Sequence, residues 1–235
     1  MITKWLASVE SLEEAKSLVE QLPHILDMKN PSEGALGALN HQTVTEIVNW
    51  INKGCLCSAT VGDLPMQAEI TSAAIRNMAE TGVDYVKIGL FDEPGLIQCI
   101  QQLEPTIKSL STPVIAVIFA DQLPQQKLIP LLAKTGFAGV MLDTARKDGQ
   151  GLLNHLSVEV LQQFVVEAKS AGMLCGLAGA LRIEDIETLS PLQPDYLGFR
   201  SALCQQHHRT NRLDPELAKQ IQNKLNAALP EVLAC

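Results

Sequence analysis

No two of the six cysteines (Cys55, Cys57, Cys99, Cys175, Cys204 and Cys235) are spaced as C-x-x-C, so the sequence offers neither a zinc-ribbon pattern nor a dithiol redox motif. Cys55 and Cys57 fall within an apolar run, where cysteine serves as a small hydrophobe, and the expectation is a chain in a reducing cytosol with no metal and no disulfide. Aromatic residues make up only 4% of the chain, and the net charge is −8 with no basic run. Nucleic acid is therefore not the expected partner. The opening stretch MITKWLASVESLEEAK turns acidic where an export signal needs an apolar segment, and the longest apolar run, 114–120, is too short to span a bilayer. Nothing in it predicts contact with a membrane.

What is present is aliphatic. Hydrophobic residues are 46% of 235 and charged residues 19%, a composition that supports a sizeable core. Apolar, β-rich runs at 4–9, 25–29, 55–61, 85–90, 114–120, 139–144, 174–179 and 196–202 alternate with amphipathic stretches such as 67–81, 95–110, 158–171 and 214–228. The runs are apolar on both faces, as parallel strands covered by helices must be. Ser11-x-x-Glu14 has the form of a capping box; Gly82, Gly136 and Gly172 stand where helices stop; Asp214-Pro215 pairs an N-cap with a first-turn proline. Eight strand–helix units with no linker predict one (β/α)8 TIM barrel over residues 1–235, with an open doubly wound sheet as the alternative. Alanine-rich helical faces point to a homo-oligomer.

The strands carry charges that a core does not need. In such a barrel the reacting groups lie at the C-terminal ends of the strands, and there Lys29 ends the second run, Lys87 lies in YVKIGL, Asp143 in VMLDTA and Arg200 in LGFRSA. All four belong to even-numbered strands and are expected to share one ring. Asp27 faces the same way as Lys29, two residues on, and Lys147 follows Asp143 by four residues, in the next loop. Burying unpaired charges costs several kcal/mol after relaxation, comparable with the stability of a whole domain. One reading is a structural ion-pair network. The other is chemical: an amine held among apolar walls and a second cation has its charged form disfavoured and becomes a nucleophile or base, suited to an imine with a carbonyl substrate. On the residues alone the roles of Lys29 and Lys87 are interchangeable.

The turns after the last two strands, Leu177-Ala178-Gly179-Ala180-Leu181 and Gly198-Phe199-Arg200-Ser201-Ala202, are where barrels often hold phosphate on backbone N–H groups. Gly179, Ala180, Arg200 and Ser201 are the candidates. Ser58-Ala-Thr60-Val-Gly62-Asp63 reads as a polar strand-end turn, and His207-His208 as a solvated loop rather than a metal site.

Six blocks, LDMKNPSEGALGA, SATVGDLP, DYVKIGLF, VMLDTARKDGQGLL, LAGALRIEDI and YLGFRSALC, together resemble the (5-formylfuran-3-yl)methyl phosphate synthase family of methanofuran biosynthesis, over nearly the whole chain. The resemblance implies a TIM-barrel lyase that condenses two molecules of glyceraldehyde 3-phosphate into a phosphorylated furan aldehyde, releasing phosphate and water without a metal or organic cofactor. Carried over by motif, the Schiff-base lysine is Lys29, the proton-transferring lysine Lys87, the supporting aspartates Asp27 and Asp143, and the loop lysine Lys147. Arg146 and the Gln205-Gln206-His207-His208 stretch depart from archaeal members and point to a bacterial version from a methylotroph. The rival readings are a class I aldolase acting on another sugar phosphate and an inert phosphometabolite-binding protein.

Overall fold

The computed structural model describes residues 3–146 and 148–228. Eight strands run β1 (Lys4–Val9), β2 (Ile25–Met28), β3 (Leu56–Thr60), β4 (Tyr85–Leu90), β5 (Val114–Phe119), β6 (Gly139–Asp143), β7 (Leu174–Leu177) and β8 (Tyr196–Phe199). Each pairs in parallel with the next, and β8 pairs with β1 to close the barrel. The open-sheet alternative is thereby removed.

Strand alternation sorts the buried side chains into two separate cores. From β1, Trp5, Ala7 and Val9 face outward into the layer between barrel and helices, whereas Leu6 faces inward to meet Ile25, Ile115, Val117, Met141 and Tyr196. Both faces being apolar, the strands show no polar stripe in sequence. Inside, bulk on one strand is matched by its lack on the next. A Cβ placed on Gly176 of β7 would lie 2.3 Å from the ring of Tyr196 on β8, so the tyrosine ring takes the room that the glycine leaves. Burial, with the field of Asp27 adding to it, holds the Tyr196 phenol well above its ordinary pKa.

Several helix boundaries follow from local chemistry. The Ser11 hydroxyl accepts from Glu14 N at 3.1 Å, but the Glu14 carboxylate accepts from Glu10 N at 2.9 Å and not from the cap residue itself, so only half of the capping box forms. Gly136 ends the helix Ile129–Thr135 in the left-handed region (φ 102°), and Asp214 caps Pro215–Ala227 through Glu216 N. The helix expected over 95–110 is two helices, Leu96–Gln102 and Glu104–Ser109. Pro105 is the reason, since without an N–H it can sit in a first turn but cannot continue a helix. β2, β7 and β8 stop short of their apolar runs, because the chain leaves the ladder there to build the barrel mouth. Among the described residues no helix is long and apolar enough to cross a membrane.

Replacing Gly176 with alanine overpacks the barrel floor and is expected to cost ~1–3 kcal/mol, read as a melting point lowered by roughly 2–4 °C per kcal/mol. The double variant Gly176→Ala, Tyr196→Leu should recover most of that loss; no recovery would refute the packing account.

Candidate active site

Two consecutive inward positions of the second unit, Asp27 and Lys29, open the site. Lys29 stands just past the end of β2, yet its N–H still bonds Val9 O at 3.0 Å, so its backbone is held as firmly as the strand's. Asp27 is fully buried. Ser8 Oγ of β1 donates to its Oδ2 at 3.1 Å, Ser58 Oγ of β3 to its Oδ1 at 2.6 Å, and Lys87 Nζ of β4 lies 3.0 Å from Oδ2. Three donors replace the water that this carboxylate has lost. Lys87 is equally enclosed, 1% exposed, while Lys29 is 7% exposed and nearer the mouth.

Asp143 closes β6. Its Oδ1 accepts from Thr144 N at 2.7 Å, and its Oδ2 lies 3.7 Å from Lys29 Nζ. Asp27, Lys29, Lys87 and Asp143 all line one cavity of about 290 Å³ at the C-terminal end of the barrel, together with Gly179, Ala180, Ser201 and Ala202. That volume is at the lower edge of the ~300–1,000 Å³ common for small-molecule sites.

The structure thus brings four of the expected residues together, and Arg200 lines the same cavity. Its guanidinium, however, is turned to the frame of the mouth. It reaches across β1 to Glu14, with Nη1–Oε2 at 2.5 Å and Nη2–Oε1 at 3.2 Å, and donates further to Ser8 O (3.1 Å) and Arg209 O (2.8 Å). Its donors are committed to the frame of the mouth; the Glu14 carboxylate, left over from the half-formed cap, drew it there. Lys147 lies outside the described residues.

The turn after β7 is strained towards positive φ. Gly179 (φ 107°) and Ala180 (φ 47°) are both left-handed, and a Cβ on Gly179 would lie 2.9 Å from Thr144 Cγ2. Among the described residues the N–H groups of Gly179, Ala180, Ser201 and Ala202 have no backbone acceptor.

Ser8, which the sequence reading passed over, and Ser58, which it read as part of a turn, are the hydroxyl partners of Asp27. Their signal was there, since each occupies the inward parity of a strand that registers directly against Asp27. Asp63, read as part of a turn, is a clamp: its two oxygens accept from Ala35 N (2.8 Å) and Leu36 N (2.9 Å), and Gly34 (φ 79°) passes so close that a Cβ would fall 2.1 Å from Oδ2. Asp121, beyond β5, does the same for the next loop through Ala145 N (2.7 Å) and Arg146 N (2.8 Å). His207 and His208 line the cavity edge, His208 Nδ1 lying 2.9 Å from Thr210 Oγ1. Burial pushes the thiols of Cys57 and Cys175 up to about 12, and those of Cys55 and Cys204 up to about 11, which leaves them protonated and unreactive.

Comparison with known proteins places this arrangement. The sequence profile described as 4-HFC-P synthase matches residues 5–222, which include every described residue of the site. The chain belongs to the 4-HFC-P synthase family. It is 36% identical over 209 residues to the (5-formylfuran-3-yl)methyl phosphate synthase of Methanococcus aeolicus, covering 85% of this chain and 89% of that protein. It is 35% identical over 227 residues to the synthase of the same name from Methanocaldococcus jannaschii, covering 92% and 97%. As a 4-HFC-P synthase family member the protein is an enzyme. Among solved structures, 3-hexulose-6-phosphate synthase from Salmonella typhimurium superposes with a TM-score of 0.68 at 15% identity, covering 97% of this chain and 100% of that one. Phosphoribosyl anthranilate isomerase from Thermotoga maritima does so with 0.68 at 13%, at the same coverage. Both likenesses show the TIM-barrel fold.

The loop clamps make two measurable claims. Removing the Asp63 carboxylate by Asp63→Ala leaves two backbone N–H groups without an acceptor, which costs about 1–3 kcal/mol per buried group; amide exchange at Ala35 and Leu36 should accelerate while the strand amides stay protected. For Asp121, burial raises the carboxyl, but the N–H groups of Arg146 and Ala145 outweigh it and hold the pKa below the ordinary value. A depressed folded pKa means a contribution present above the unfolded value and lost as pH falls through the folded one. Exchange protection at Ala145 and Arg146 should therefore survive at pH of about 4, near the unperturbed aspartate value, and vanish only below it.

Proposed function

We propose that the protein is a (5-formylfuran-3-yl)methyl phosphate synthase, acting on glyceraldehyde 3-phosphate through a Schiff base on Lys29 in methanofuran-type cofactor biosynthesis. The observation that carries this reading is the division between the two buried amines. Lys87 is bound at hydrogen-bonding distance to Asp27 at the deeper level, while Lys29 stands at the mouth, at ion-pair distance from Asp143. The resemblance of the motifs and the synthase relatives support the same assignment.

Lys29 Nζ adds to the aldehyde carbon of one triose phosphate. The carbonyl oxygen leaves as water, and an imine forms in a cavity that excludes bulk solvent. Removal of the proton on the adjacent carbon turns the imine into an enamine, and Lys87 with Asp27 is placed to carry that proton. Asp27, fixed by two serine hydroxyls, keeps the Lys87 ammonium oriented through each transfer. The enamine expels the phosphate on its third carbon, which leaves with the bonding pair, and the carbon so freed attacks the carbonyl of a second triose phosphate, whose oxygen takes a proton. Closure of the ring through a hydroxyl oxygen and loss of two waters give the furan, and a water then cleaves the imine, returning the Lys29 amine and leaving the product's aldehyde. The N–H groups of Gly179, Ala180 and Ser201 hold the retained phosphate, with Arg200 keeping their frame in place, and Asp143 orients Lys29 and relays protons near it.

Borohydride reduction in the presence of glyceraldehyde 3-phosphate should trap an adduct on the peptide carrying Lys29, absent in Lys29→Ala. The wild type should also produce a furan chromophore from that substrate alone. Lys87→Ala and Asp27→Ala should each slow the chromophore by about 10²–10⁴-fold, the usual worth of a positioned acid–base group. An adduct formed only with a different sugar phosphate would leave the Schiff base standing and remove the furan synthase.

A further inference from the structure

The segment after β8 folds back over the barrel mouth as a narrow hairpin: Cys204 bridges Leu213, Gln205 N bonds Arg212 O at 3.0 Å, and Asp214 N bonds Leu203 O at 2.8 Å. Its tip is fixed from beneath. Arg200 Nε donates to Arg209 O at 2.8 Å, and Arg200 is itself held by Glu14. From this anchored backbone the Arg209 side chain crosses to the loop after β2, where Nη2 donates to Gly34 O at 3.1 Å. It lines the same cavity as Lys29 and Lys87.

Arg209 is only partly exposed, and burial pulls its guanidinium below its ordinary pKa while Asp143 and Asp63 act the other way. Neither acid pairs with it. Asp63 is occupied by Ala35 N and Leu36 N, Asp143 by Thr144 N and the Lys29 ion pair, and among the described residues no carboxylate lies within ion-pair distance of Arg209. A charge taken partly out of water calls for a counter-charge, and here the one recorded acceptor is a neutral carbonyl. A guanidinium carries five donors in a planar fork that suits phosphate oxygens. The Gly179–Ala180 turn lies beyond β7, whereas Gly34 lies beyond β2; β8 and β1 stand between them on the rim.

We propose that Arg209 forms a second phosphate subsite, distinct from the β7 and β8 turns, which takes the phosphate monoester of the second substrate molecule. This rests on the reading that two triose phosphates occupy the cavity together. Two phosphate dianions repel at close quarters, and anchoring them three strands apart on the rim leaves their carbon ends to meet over Lys29. His207 and His208, on the same hairpin tip, border this second subsite.

Calorimetric titration of the wild-type enzyme with inorganic phosphate should show two sites, and Arg209→Met, which keeps the aliphatic stem, should show one. In steady state Arg209→Met should raise KM for glyceraldehyde 3-phosphate roughly tenfold or more, the worth of a charge-assisted pair, with Arg209→Lys in between and all three proteins melting at the same temperature. Phosphate binding by Arg209→Met with wild-type stoichiometry and affinity would overturn the subsite, even if furan is made. Arg209-dependent binding of a second phosphate by an enzyme that makes no furan would instead overturn the synthase reading and leave the subsite intact. Should Arg209→Met melt early, Arg209→Lys decides alone: an unchanged KM and unchanged second-site affinity would sink the proposal.

Discussion

Everything at the barrel mouth depends on how one buried carboxylate replaces the water it has lost. Asp27 has given up all contact with solvent, and an isolated ion there would be untenable. Four adjacent strands share the work: β2 supplies the acid, β1 and β3 each supply a serine hydroxyl, and β4 supplies the ammonium of Lys87. A buried pair of this kind adds little net stability over a well-packed apolar alternative. Its value lies in geometry, because a lysine tied on one side to a fixed acid has a fixed direction on the other.

A second level of order surrounds that core. Loops are normally the loosest part of a barrel, yet here several loops near the site reach a neighbour through a carboxylate. Asp63 holds the loop after β2, Glu93 accepts from Met66 N (2.6 Å) in the loop after β3, and Asp121 holds the loop after β6. Glu14, after β1, grips Arg200 from the far side of the β1–β8 seam. In each case an ionised acceptor satisfies groups that irregular backbone cannot satisfy by itself. Asp63, Glu93, Asp121 and Glu14 are thus rivets of the mouth, while Lys29 and Lys87 are turned inward.

The barrel was legible because helices and parallel strands leave different periods in the sequence, and the site because lysine and aspartate are conspicuous in runs that should be wholly apolar. Asp27, Lys29, Lys87 and Asp143 could be placed from strand parity alone. Arg200 obeyed the same parity and lines the cavity, but its guanidinium is spent on the frame of the mouth. Parity gives the side of the sheet on which a side chain starts, but a long side chain follows the nearest acid, and Glu14 is 186 residues distant in sequence. Ser8 was passed over and Ser58 read as part of a turn because a serine in a strand is ordinary until the acid beside it is known. Arg209 had no signal, since hairpin tips have no period and its neighbours come from the opposite end of the chain. The broken helix at Pro105 was readable, and the amphipathic pattern running through it hid the break.

The floor beneath the site has a kinetic implication. Tyr196, pressed into the gap left by Gly176, seals the barrel below Lys87 together with Leu6, Ile25 and Ile115. Among the described residues these side chains close the floor, so what enters at the mouth also leaves there. Under the proposed reaction the detached phosphate must clear the entrance before the bulkier aromatic product can follow, and each turnover imposes its own exit queue.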